Sequence, residues 1–148
     1  MLKFDFDLDP SLVIDPLTIT EIVSSKSFLN GQWLAQVKHK LFNEPEVKKW
    51  FVPVDCSYWN IQLITIVEPL TIIPEHVHTE PVLRRIVDGS FEMNGVLYSE
   101  GDWVIVPANL PYSIQTREGY KIISAYHAQC QECQWAALSK MPLGKLDS

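Results

Sequence analysis

An all-β sandwich or barrel is predicted for most of this chain by three observations. Beyond Trp50 the apolar residues come in short runs rich in Ile, Val and Thr, the side chains that fit a pleated, half-buried surface. Pro53, Pro69 and Pro74 interrupt the first of these runs and exclude a long helix there. Asn94-Gly95 joins two of the later runs, and that pair tolerates the positive φ angles a two-residue hairpin turn demands.

Taken in order, the expected strands are Trp50 to Val54, Trp59 to Glu68, Leu70 to His78 and Val82 to Val87, the last closed by Asp88-Gly89. Ser90 to Met93 and Val96 to Ser99 form the hairpin around Asn94-Gly95. A turn at Glu100-Gly101-Asp102 leads into Trp103 to Val106, and the stretch Pro107 to Pro111 separates that strand from Tyr112 to Thr116. Tyr120 to Ala128 is the last. Eight or more short strands at this spacing indicate a sandwich or barrel.

Residues 1–45 lack this alternation and predict a partly helical N-terminal extension. Asp15-Pro16 suits a helix start, with Leu17, Ile22 and Val23 on one face. Trp33, Leu34, Val37 and Leu41 lie on one stripe of a second helix, after a break at Gly31. Residues 46–128 are the barrel, and the more polar tail 129–148 packs on it through a helical turn near Trp135 to Leu138.

A chain of 148 residues is one domain by length, and 47% apolar against 20% charged residues is the balance of a packed core, not a disordered segment. The 18 acidic residues outnumber the 12 basic ones, and no Lys/Arg cluster forms, which argues against a nucleic-acid partner. MLKFDFDLDP lacks the basic flank and apolar run of a signal peptide, and no later run approaches a membrane span. A cytoplasmic protein with no membrane association is expected. The odd count of three cysteines fits a reducing compartment.

The candidate chemistry centres on His76-Val77-His78. On a strand, alternate side chains share a face, so two imidazoles would stand side by side and could chelate one divalent ion, Fe, Zn, Ni or Mn. They could equally line a polar cavity. Glu80 lies two residues further on and would complete a set of two histidines and a carboxylate with open positions, the geometry of non-haem Fe(II) oxygenases, unless the strand ends at Pro81. Glu92 is a weaker carboxylate candidate. His127 is a third imidazole if it points inward, or a zinc ligand with Cys130 and Cys133, which have C-x2-C spacing. Cys56 is expected to be a small buried side chain. Tyr112 would be a cavity-lining donor, because a phenol is protonated at neutral pH. Gln62 and either Arg84 or Arg85 are further interior candidates; a buried arginine would select a carboxylate-bearing ligand.

The segment from Leu70 to Thr116 resembles the two motifs of the cupin superfamily, small jelly-roll barrels. The first motif, G-x5-H-x-H-x(3,4)-E-x6-G, is matched by His76, His78 and Gly89, with Leu70 and Val82 at the first glycine and the glutamate. The second, G-x5-P-x-G-x2-H-x3-N, is matched by Gly101 and Pro107, with Asn109 at the middle glycine and Tyr112 at the histidine. HVHTEPV followed by a hairpin, and WFVPVDCSYW upstream, look most like the subgroup of dihydroxyacetophenone-type dioxygenases and the cupin half of some anti-sigma factors.

The resemblance implies a cupin jelly-roll that pairs as a homodimer and binds a metal and a small organic molecule. Its activity would be that of a non-haem dioxygenase on an aromatic or diketone-type compound. His76, His78 and His127 would be the metal ligands, with Glu80 and Tyr112 beside them in catalysis. Val82 and Tyr112 stand where the family supplies two of its four ligands, so the alternative is a non-catalytic cupin that binds or senses a small molecule.

Overall fold

The computed structural model describes residues 6–7, 10–31, 38–39, 46 and 50–128. Ten strands run in chain order as β1 (Phe6–Asp7), β2 (Val23–Ser24), β3 (Lys38–His39), β4 (Ile61–Val67), β5 (Thr71–His76), β6 (Val82–Met93), β7 (Val96–Ser99), β8 (Trp103–Val106), β9 (Tyr112–Thr116) and β10 (Tyr120–Tyr126). The all-β expectation holds. β1 and β3 pair only with each other.

The other eight strands are antiparallel and organised by β6. Its first part lies between β8 and β10 in the order β2-β8-β6-β10-β4. Its last four residues pair with β7 and β9, and β9 pairs on to β5. One strand therefore belongs to both sheets of the sandwich. Two separate strands broken at Asp88-Gly89 were expected, but the chain bends and continues. Gly89 has φ +77, which a glycine adopts without steric cost, and the ladder to β10 shifts register beside it, between Lys121 and Ile122, as a β-bulge does.

The Asn94-Gly95 turn forms as expected, with φ +48 and +83, the two positive values of a type I′ hairpin. Trp50 to Val54 is not a strand: this segment makes a single parallel bridge, Ile14 to Val54. Cys56 lies in the turn that follows and is exposed, not buried. There Asp55 Oδ1 accepts from the backbone and hydroxyl of Ser57 at 2.9 and 2.6 Å.

Alternation along the strands separates two apolar clusters. Ile86, Val104, Val106, Tyr112, Ile114 and Ile122 face inward between the sheets. Leu83, Trp103, Ile105 and Ala125 face the other way and are covered by Ile14, Ile19, Val23, Phe28, Val54 and Trp59. Burial on both faces explains why all four residues of β8 are apolar and buried.

The helical N-terminal extension is not what the chain forms. Among the described residues of that region there are only a 3-10 turn at Pro10–Leu12 and a second at Phe28–Gly31, the latter interrupted by left-handed Leu29 and Asn30. Asp15 does not start a helix; its Oδ1 accepts from Leu17 N at 2.9 Å, closing a local turn. Val23 then pairs with Ile105, and Ser25 Oγ donates to Asp102 Oδ1 at 2.7 Å. β-Branched residues and a free edge on β8 outweigh a weak helical stripe. Trp33, Leu34, Val37 and Leu41 lie outside the described residues, but Lys38–His39 within that stretch is strand. The tail 129–148 lies outside them as well. No helix among the described residues is long and apolar enough to cross a membrane.

Candidate functional site

Pro74 decides how His76 is presented. Lacking an N–H, proline belongs at an edge or bulge, and the β5–β9 ladder is irregular between Ile73 and His76. His76 then stands opposite Tyr112 in register, their ring centroids 4.5 Å apart. Its Nδ1 lies 2.8 Å from the Pro74 carbonyl oxygen, which can only accept, so this nitrogen carries the proton. In the neutral ring Nε2 is therefore the acceptor; it is buried and meets no hydrogen-bond partner among the described residues.

His78 lies just past the end of β5, not on the same strand as expected. Its carbonyl is held by Asn109 N at 2.8 Å. The two imidazoles still converge, edge to face, with centroids 5.1 Å apart. His78 is pushed down from 6.5 to about 4 by burial, then by the Arg84 guanidinium and by His76.

Arg84 and Tyr112 sit behind the pair, both fully buried. Arg84 Nη2 donates to the Tyr112 hydroxyl at 2.8 Å, and the guanidinium carbon lies 5.2 Å from that ring's centroid, within cation–π range. Arg84 Nε and Nη1 meet no partner among the described residues. Arg84 shares the inward face with Ile86, as alternation along Val82-x-Arg84-x-Ile86 requires. Arg85 points outward and donates to Gln62 Oε1 at 3.1 Å, so Gln62 is not an interior residue. Ser124, the register partner of Arg84 on β10, is a buried polar neighbour missed in the sequence; the alternation Tyr120, Ile122, Ser124 could have found it. Its hydroxyl lies 3.5 Å from that of Thr65.

The remaining candidates lie elsewhere. His127 stacks on Tyr58, rings 4.3 Å apart and nearly parallel, and its Nδ1 is 2.7 Å from the Tyr58 carbonyl oxygen. Glu80 is exposed and acts on that same tyrosine, whose phenol is raised first by burial and then by Glu80. Glu92 lines a groove on the outer face of the β5-β9-β6-β7 sheet, with Ile72, Leu97 and Gln115. Cys130 and Cys133 lie outside the described residues.

A resident divalent ion needs about three protein donors to compete with water. Among the described residues no three His, Cys, Asp or Glu side chains come together. His76 has the tautomer and carbonyl support of a metal ligand, but the pair faces a buried guanidinium in place of a carboxylate. This donor set does not fit a metal centre.

With a chelator present, the His78 ring signals are expected to titrate by NMR near pH 4, far below an ordinary histidine. Between about 4 and 6.5 the unfolded chain then binds the extra proton. The His78 contribution to stability is thus whole above 6.5 and is lost as pH falls toward 4. The urea midpoint of the parent should fall more steeply across that window than that of His78→Gln; parallel slopes would show the ring is not shielded.

No protein-family model matches the sequence, and no curated protein matches it. Among solved structures, it is similar to an RmlC-like cupin from Shewanella frigidimarina, at 18% identity and TM-score 0.43, over 49% of this chain and 69% of that one. It is also similar to a salicylate 1,2-dioxygenase from Pseudaminobacter salicylatoxidans, at 19% identity and TM-score 0.38, over 53% of this chain and 23% of the other. A third is the Streptomyces albus HEPD with 2-hydroxyethylphosphonate and Fe(II) bound, at 14% identity and TM-score 0.35, over 57% and 22%. At these identities and TM-scores the likenesses say nothing about metal, substrate or reaction.

Proposed function

We propose that this chain is a non-catalytic barrel that binds a small organic molecule at the end where His76, His78, Tyr112 and Arg84 converge. The observation that carries the reading is the set of buried polar atoms without partners there, on His76 and Arg84, beside an otherwise apolar interior. Native proteins leave few such groups unsatisfied, because each costs about 1–3 kcal/mol. A ligand that supplies the missing partners recovers that cost only when bound. An apolar site with a few convergent polar groups is what small-molecule recognition requires.

A metal-dependent dioxygenase is the second reading, and the unpartnered Nε2 of His76 favours it. Against it stand the two-donor set and the Arg84 charge, close enough to depress His78. Elemental analysis after expression with Fe, Zn, Ni and Mn supplements separates the two. Metal far below stoichiometry is expected, together with compounds in a small-molecule library that raise the Tm of the parent but not of the His76→Ala, His78→Ala variant. Stoichiometric metal lost in that variant would establish the metal reading instead, and a library in which nothing shifts the parent would remove the binding reading.

A further inference from the structure

We propose that the molecule bound here carries a carboxylate, and that Arg84 receives it. This rests on the small-molecule reading above. A guanidinium has five N–H donors in a planar fork and stays charged at any ordinary pH. That of Arg84 is fully buried, yet its hydrogen bonding among the described residues is limited to one phenolic oxygen, with Nε and Nη1 unpartnered. The Tyr112 ring face offsets part of the charge, but a π-face carries no net negative charge.

A buried cation in this state lacks an anion, and the ligand is what can bring one. Carboxylate matches the fork in shape: two coplanar oxygens take two parallel N–H bonds. The surroundings set the rest of the molecule. Ile86, Val104, Val106 and Ile122 cluster with Tyr112, so the group attached to the carboxylate is apolar, and a single cation calls for a single negative charge rather than a phosphate dianion. The guanidinium nitrogens are closed to solvent. His76 and His78 are partly exposed and form the outer wall, so entry requires those imidazoles to swing aside.

The test uses the full chain and three pairs of isosteres: benzoate and benzamide, phenylacetate and phenylacetamide, hexanoate and hexanamide, with inorganic phosphate as a non-planar anion. Thermal shift and calorimetry should show the carboxylates binding roughly 10–100-fold more tightly than their amides, the worth of a charge-assisted hydrogen bond. Phosphate should not bind. The preference should disappear in Arg84→Met, Tyr112→Phe, whose folding is verified by its own Tm, and Arg84→Lys should weaken it, since a point charge lacks the fork. Amides that bind as well as acids, no shift with any acid, or an acid preference that survives the double variant would each overturn the proposal. Neutral library compounds whose binding depends on His76 and His78 would, in those cases, leave the small-molecule reading standing without the carboxylate.

Discussion

Replacing Gly89 with alanine is expected to leave little folded protein. Gly89 sits at φ +77, a region where a side chain costs about 1–3 kcal/mol in strain. An added Cβ would overlap the Gly119 carbonyl oxygen and stand 2.8 Å from the Tyr120 Cα. Both are backbone atoms of a paired strand and its turn, so neither can rotate away. Forcing extra volume into packed structure costs roughly 1–3 kcal/mol more, and the total approaches the whole stability of a small domain, about 5–15 kcal/mol. The position also matters for topology, because β6 passes from one sheet to the other there. Gly95→Ala is the control. It has a similar φ of +83 but nothing within 4 Å of its Cβ, so it should lose only the conformational part. Urea midpoints that drop equally in the two variants would mean the close approach at Gly89 relaxes freely.

That contrast also locates what the sequence could express. Gly89 and Gly95 are both legible as turn residues, yet nothing local distinguishes a hairpin turn from a bend inside a continuous strand; the difference lies in which strands pair on either side. The all-β class was legible because alternation and turn chemistry repeat along residues 61–126 and agree with one another. The N-terminal helices failed because a weak apolar stripe was weighed without the free edge of β8, which captured Val23. In the site, His76 and His78 were found by spacing, and they do converge. His127 and Glu80 were attached to them by proximity in sequence or element order, whereas both face Tyr58. Arg84 and Arg85 are consecutive, and only the phase of β6, anchored by Val82 and Ile86 on the inward face, decides which one is buried.

Removing that buried arginine should make the protein more stable. The Arg84→Met, Tyr112→Phe variant keeps most of the side-chain volume and takes away a cation, a hydroxyl and the 2.8 Å bond between them together. Replacing buried charged groups by apolar ones of similar size commonly stabilises, by about 1–4 kcal/mol, which is a rise of several degrees in Tm for a chain of this size. The opposing terms are smaller: a cation–π contact is worth up to ~2 kcal/mol when desolvated, and one hydrogen bond to a charged group about 1.5–3. Both are set against a guanidinium with two nitrogens unpartnered. The single variants should separate these terms. Arg84→Met alone leaves the Tyr112 hydroxyl buried without its donor, so it should gain less than the double variant. Tyr112→Phe alone strips the guanidinium of its hydrogen-bond acceptor and should lose about 1–3 kcal/mol. A thermal melt of the four proteins without ligand would therefore rank the double variant first and Tyr112→Phe last. If the double variant instead melts below the parent, Arg84 is held by the fold for its own stability, and a site that trades stability for recognition is not what β6 carries.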